Sequence, residues 1–213
     1  MRGVTYGIGM KPPAFLLTLA IAVVGWSSAA RAADVDVVVQ AGHQGRPASC
    51  APLHVKACNL GAASPLGTER EWTPIVADSA AKVLRAAGLR VMRRPADYAG
   101  HDTARAAVFL HFDGSVTRCA SGASIGFPPT TARAFVHDWE RTYHGYFPYK
   151  FSGENITSNE ANYYGFRKVT TPGRAILIEF GEITCPAQAA WMKPRLRALG
   201  QRLATFLIAE LKR

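Results

Sequence analysis

Apolar residues in this 213-residue chain fall into two kinds of pattern. Four short runs are nearly continuous and β-branched or aliphatic: 35–40 (VDVVVQ), 89–92, 107–111 (AVFLH) and 175–180 (AILIEF). Runs of this length bounded by Gly, Pro or Ser predict buried strands. Between them the period changes to that of a helix. Ile75, Val76, Ala80, Val83, Leu84 and Ala87 form a stripe that Gly88 stops, and Thr73-Pro74 predicts its cap and first residue. A second helix is expected over 131–143. A third is expected over 187–211, where Trp191, Leu196, Leu199, Leu203, Phe206 and Leu207 share a face. Strands alternating with helices predict an α/β fold, a three-layer sandwich with a largely parallel twisted sheet and helices on both faces.

Composition narrows the class. Hydrophobic residues make up 48% and charged residues 19%, which excludes a disordered or fibrous chain. Residues 14–26 form an apolar run preceded by Arg2 and Lys11 and followed by small residues up to Ala30-Arg31-Ala32. That is the three-part pattern of a secretory signal, expected to be cut after Ala32, leaving 33–213 as one domain with no stable membrane insertion. Cutting there removes three of the 25 Lys and Arg and none of the 15 acids, so the net charge falls from +10 to +7. The exported protein, periplasmic or secreted, is then still basic. Its charge admits an anionic partner, but no nucleic-acid-binding motif is present, and export argues against that partner. A monomer is expected. Export also governs the reading of Cys50, Cys58, Cys119 and Cys185, which lack Cys-x-x-Cys spacing and so point to two disulfides rather than a zinc knuckle.

Functional residues of open α/β sheets collect where strands end at their carboxyl edge. Three of the four strands carry a group there that can bind metal or move protons: His43, His111 and Glu179. Taken singly, a strand-end histidine is ordinary; three such groups on one edge are not. His54 and His101 lie in polar loops, and His137 and His144 lie on or near one helix, so none of these is expected at the site. The aromatic residues between Tyr143 and Phe151, with Tyr163 and Tyr164, fit either internal packing or a platform for a sugar.

With those residues in place, the chain resembles the zinc-dependent N-acetylmuramoyl-L-alanine amidases of bacterial cell-wall turnover, over essentially all of 33–213. The resemblance rests on Gly42-His43-Gln44-Gly45, Gly67-Thr68-Glu69-Arg70, Phe109-Leu110-His111-Phe112-Asp113, and Ile178-Glu179-Phe180-Gly181 followed by Cys185-Pro186. It implies Zn2+ held by His43, Glu69 and His111, with Glu71 the rival to Glu69. It also implies Glu179 as general base and peptidoglycan as substrate, cut between N-acetylmuramic acid and L-alanine. Two histidines and a carboxylate match the three-protein-ligand pattern of catalytic zinc. Two departures stand out. Gln40 occupies the position where the family places an acid that orients the first imidazole, so support for that ring must differ here. Glu182 adds a carboxylate after Gly181, and it is the alternative base. Rival readings are a zinc carboxypeptidase acting on the stem peptide and a peptidoglycan-binding protein with little turnover.

The cysteines fit the same edge. Cys50 and Cys58 share one loop, which leaves Cys119, beyond His111, to pair with Cys185, beyond Glu179.

Overall fold

In this computed structural model the described residues are Met1, Gly3, 33–46 and 59–213. The expected signal segment lies outside them but for its first and third residues, as do His54 and the expected Cys50–Cys58 pairing. Among the described residues, no helix is long and apolar enough to cross a membrane.

The chain runs β1 (Val35–Ala41), the small hairpin β2 (Ala63–Ser64) and β3 (Gly67–Thr68), α1 (Glu69–Ala86), β4 (Val91–Arg94), β5 (Asp102–Asp113) and β6 (Ala123–Gly126). It continues with α2 (Arg133–His144), β7 (Phe151–Glu154), α3 (Ser158–Ala161), β8 (Val169–Thr170), β9 (Ala175–Glu182), α4 (Pro186–Met192) and α5 (Leu196–Lys212). The main sheet has the order β4-β1-β5-β9-β6-β7, with β8 paired to one end of β5. Strands β4, β1, β5 and β9 are mutually parallel; β6 runs antiparallel to β9 and carries β7 parallel to itself. A strand covered on both faces reads as a continuous apolar run, and β1, flanked by β4 and β5, is such a strand. The expected α/β sandwich with a mostly parallel sheet is what forms.

Its two faces are covered unequally. Helices α1, α2 and α5 pack with Val37, Val39, Val108, Leu110, Ile176 and Ile178 in one large core. On the other face, among the described residues, Val38, Ala107, Phe109 and Leu177 form a smaller cluster with Val169, Tyr163 and Phe166 of the 3-10 turn Tyr164–Lys168. Helix α5 lies so close to α1 that a Cβ at Gly200 would overlap the Val76 carbonyl, and Ser79 donates to Arg197 O at 2.8 Å across the same contact.

Several boundaries differ from the sequence-based expectation, each for a local reason. Helix α1 starts at Glu69, four residues before Thr73. Thr68 caps it by accepting from the Glu71 amide while the Glu71 carboxylate accepts from the Thr68 amide. This is a capping box, and its Thr-x-x-Glu signature is readable in the sequence. Pro74 therefore lies inside the helix, in its second turn, where it costs one amide donor. Thr73 is no cap: it is buried and donates to Gly42 O at 2.6 Å. The strand expected over 89–92 forms two residues later, and β5 extends well beyond 107–111. Strands β6 and β7 were not expected; at four residues each they are too short to show alternation. Pro194 interrupts the expected C-terminal helix, separating α4 from α5 by the 3-10 turn Lys193–Arg195.

Candidate metal centre and its cleft

Three elements bring three donors together. Strand β1 ends in the turn Gly42-His43, where His43 takes the left-handed φ of 58°. A Cβ at Gly42 would overlap the His111 imidazole, so this turn is built for close approach. Glu69 is the first residue of α1, and the capping box beside it fixes where that helix begins. His111 stands near the end of β5. His43 Nε2 lies 3.3 Å from Glu69 Oε1, and His111 Nδ1 lies 2.7 Å from the same oxygen. All three side chains are buried, and one donor atom from each lies within 4.8 Å of the others.

This group can hold a metal ion. Ligands about 2.0–2.1 Å from a tetrahedral centre stand roughly 3.3 Å apart, close to the separations seen here, and the donor set is that of a catalytic zinc site. The electrostatics agree. Burial alone would raise the Glu69 pKa, but hydrogen bonds and charge from both imidazoles overcome it and hold the carboxylate at about 2. Burial lowers the His111 pKa despite its bond to Glu69. Burial also opposes charge on His43, yet the bond to Glu69 raises its pKa. Glu69 takes further backbone donors, Ala62 N at 3.0 Å and Phe112 N at 3.2 Å.

Glu71, the rival ligand, is exposed and spends its carboxylate on the helix cap. Glu179 is the register partner of His111 on adjacent parallel strands, and its Oε2 is buried with no hydrogen-bond partner among the described residues. Burial first, then the nearby charges of Glu69, Asp113 and Glu160, pushes its pKa well above the ordinary carboxylate range. Glu182 is elsewhere in role: fully buried, it accepts from the amides of Cys119 and Ser121, both at 2.8 Å, and from the hydroxyls of Ser121 and Thr184. Its carboxylate ties the loop after β5 to the end of β9. In the same region Cys119 and Cys185 form a disulfide.

A cleft of about 1220 Å³ opens over these groups on the thinly covered face. Among the described residues Arg46 is the sole lysine or arginine lining it, against the carboxylates of Glu69, Asp113, Glu160 and Glu179. Glu160 was not expected from the sequence; it is buried beside the cleft and accepts from the Ser124 hydroxyl at 2.5 Å. Tyr163 and Tyr164 line the cleft, whereas Tyr143 and Phe147 belong to the core. His137 lies on the surface with Glu140 and Glu154, and Glu154 is already paired with Arg133.

Each imidazole has a further neighbour on its other ring nitrogen. His43 Nδ1 lies 2.7 Å from Asn59 O and 3.1 Å from the Arg46 guanidinium, which also donates to Asn59 O. His111 Nε2 lies 3.1 Å from the Tyr163 hydroxyl, which donates to Gln40 Oε1 at 2.7 Å. Gln40 thus serves the second imidazole rather than the first.

Fold and site together define a mixed-sheet α/β domain with a His-Glu-His group that could hold a metal ion and, beside it, the buried Glu179. The chain has the fold of solved N-acetylmuramoyl-L-alanine amidases. It is similar to AmiC2 of Nostoc punctiforme at a TM-score of 0.61 and 18% identity, covering 83% of this chain and 97% of that one. Against Ami1 of Mycobacterium smegmatis the TM-score is 0.61 at 20% identity, covering 84% and 97%. Against the amidase of Clostridium difficile 630 it is 0.61 at 16% identity, covering 83% and 96%. No protein-family model and no curated protein matches the sequence.

Proposed function

We propose that the chain is a zinc-dependent hydrolase that cleaves the amide between N-acetylmuramic acid and L-alanine in peptidoglycan. The observation that carries this reading is the placement of Glu179, with a free buried oxygen, on the strand beside His111 in a three-ligand site. His43, Glu69 and His111 are the ligands. Bound there, zinc supplies Lewis-acid polarisation of the scissile carbonyl and makes water a nucleophile near neutral pH. Glu179 accepts the proton of the attacking water and delivers it to the departing nitrogen, giving a lactyl carboxylate and a free amine on L-alanine. The reading includes export after Ala32, which the Cys119–Cys185 disulfide supports, since such bonds persist in oxidising compartments.

The test is to incubate the zinc-loaded protein with purified sacculi and identify the products by mass spectrometry. Intact stem peptides beginning with L-alanine are expected. Stems shortened at the carboxyl end would favour the carboxypeptidase reading, and binding without any release would favour the non-catalytic one.

A further inference from the structure

Gln40 stands between the two tyrosines of the cleft. Fully buried in β1, it accepts the Tyr163 hydroxyl at 2.7 Å through Oε1 and donates to the Tyr164 hydroxyl at 3.2 Å through Nε2. Tyr164 also accepts from the Asp97 amide at 3.1 Å. With its own proton committed to Gln40, the Tyr163 hydroxyl has a lone pair for His111, whose Nε2 is 3.1 Å away. An imidazole that donates from Nε2 keeps the Nδ1 lone pair free, and Nδ1 is the atom facing Glu69.

We infer that Tyr163, oriented by Gln40, is the positioning residue that fixes the ring and tautomer of His111 for metal binding. This rests on the metal reading above. Histidine ligands commonly donate their other ring nitrogen to a carboxylate, carbonyl or water, and loss of that partner typically costs 10–100-fold in metal affinity or activity. In this chain the partner is a phenol, itself held by a side-chain amide.

The competing account is that Tyr163 only packs, since its ring meets Phe109 and Phe166. Tyr163→Phe separates the two, because it keeps the ring and removes only the oxygen. Tyr164→Phe is the control, making the same change one residue along, where the hydroxyl does not touch an imidazole. Zinc affinity is measured by competition with a chromophoric chelator, alongside the visible spectrum of the cobalt-substituted protein and the melting temperature. Tyr163→Phe is expected to weaken zinc binding about 10–100-fold and to alter the cobalt spectrum. Tyr164→Phe is expected to weaken zinc less, and Gln40→Met, which keeps the side-chain volume, to follow Tyr163→Phe. Unchanged affinity in Tyr163→Phe overturns the inference while leaving the metal reading intact. An equal loss in Tyr164→Phe also overturns it, assigning the effect to the segment rather than to the hydroxyl on His111. If the parent protein binds no zinc, the metal reading fails and this inference fails with it.

Discussion

His111 and Glu179 share one rung of the sheet, facing the same side from adjacent parallel strands. Neighbouring strands lie about 4.8 Å apart, so the backbone ladder itself sets the distance between a ligand and the proposed base. No loop intervenes in that relationship, and functional groups on strands are held more precisely than groups on loops.

Glu179→Gln should therefore leave the fold and the metal site in place while removing the proton acceptor. Turnover is expected to fall about 10²–10⁴-fold with zinc content unchanged. Metal analysis beside product release checks this, and near-parental activity would move the base elsewhere.

Gly42→Ala adds a methyl group where the His111 ring stands. Overpacking of this kind costs typically 1–3 kcal/mol, and here the displaced group is a ligand. Both the melting temperature and zinc occupancy should drop together. A variant of parental stability that still binds zinc normally would show that the turn has slack.

Glu182 commits its carboxylate to two amides and two hydroxyls. Glu182→Ala leaves the Cys119 and Ser121 amides without their acceptor. Losing such partners should destabilise the protein by about 3 kcal/mol, read as a lower urea midpoint. Zinc should remain bound.

The disulfide between Cys119 and Cys185 spans a sequence separation of 66. The chain-entropy model gives roughly 4 kcal/mol for a loop of that size, and engineered bonds often deliver less. Cys119→Ser with Cys185→Ser should lower the melting temperature without releasing metal. Loss of zinc from the double variant would mean that the bond supports the ligands directly.

The metal-free protein should be acid-sensitive at one identifiable site. Glu69 has a folded pKa of about 2 against an ordinary 4.5, so the stability it contributes is complete above about 4.5 and is lost as pH falls toward 2. His43 acts in the opposite sense: its raised pKa contributes stability below about 6.5 that is lost as pH rises through the folded value. Thermal midpoints between pH 5 and 2 should fall more steeply for the parent than for Glu69→Gln, and parallel curves would contradict this.

The site was more legible than the scaffold. His43, His111 and Glu179 follow or end nearly continuous apolar runs, so their placement toward strand ends could be read directly. Glu69 was reached through a motif, although the Thr68–Glu71 capping box would have located the start of α1 and assigned Glu71 to the cap. Thr73-Pro74 misled because a proline in the second turn imitates one in the first. Strands β6 and β7 were missed for lack of length, being defined by their pairing with β9 and with each other. Gln40 was legible as a departure but not as a support for His111, since its partners lie more than 120 positions away. Glu160 gave no signal in the sequence, because its burial depends on the short helix α3 folding over Ser124.

The unequal clothing of the sheet divides labour between its two sides. Folding energy gathers where α1, α2 and α5 bury the larger core, while the chemistry sits across the sheet beside the 3-10 turn and the short helix α3. Damage on the helical side should cost folding and function together. On the cleft side the two can come apart, leaving the chain room to change what it recognises without first solving how to stay folded.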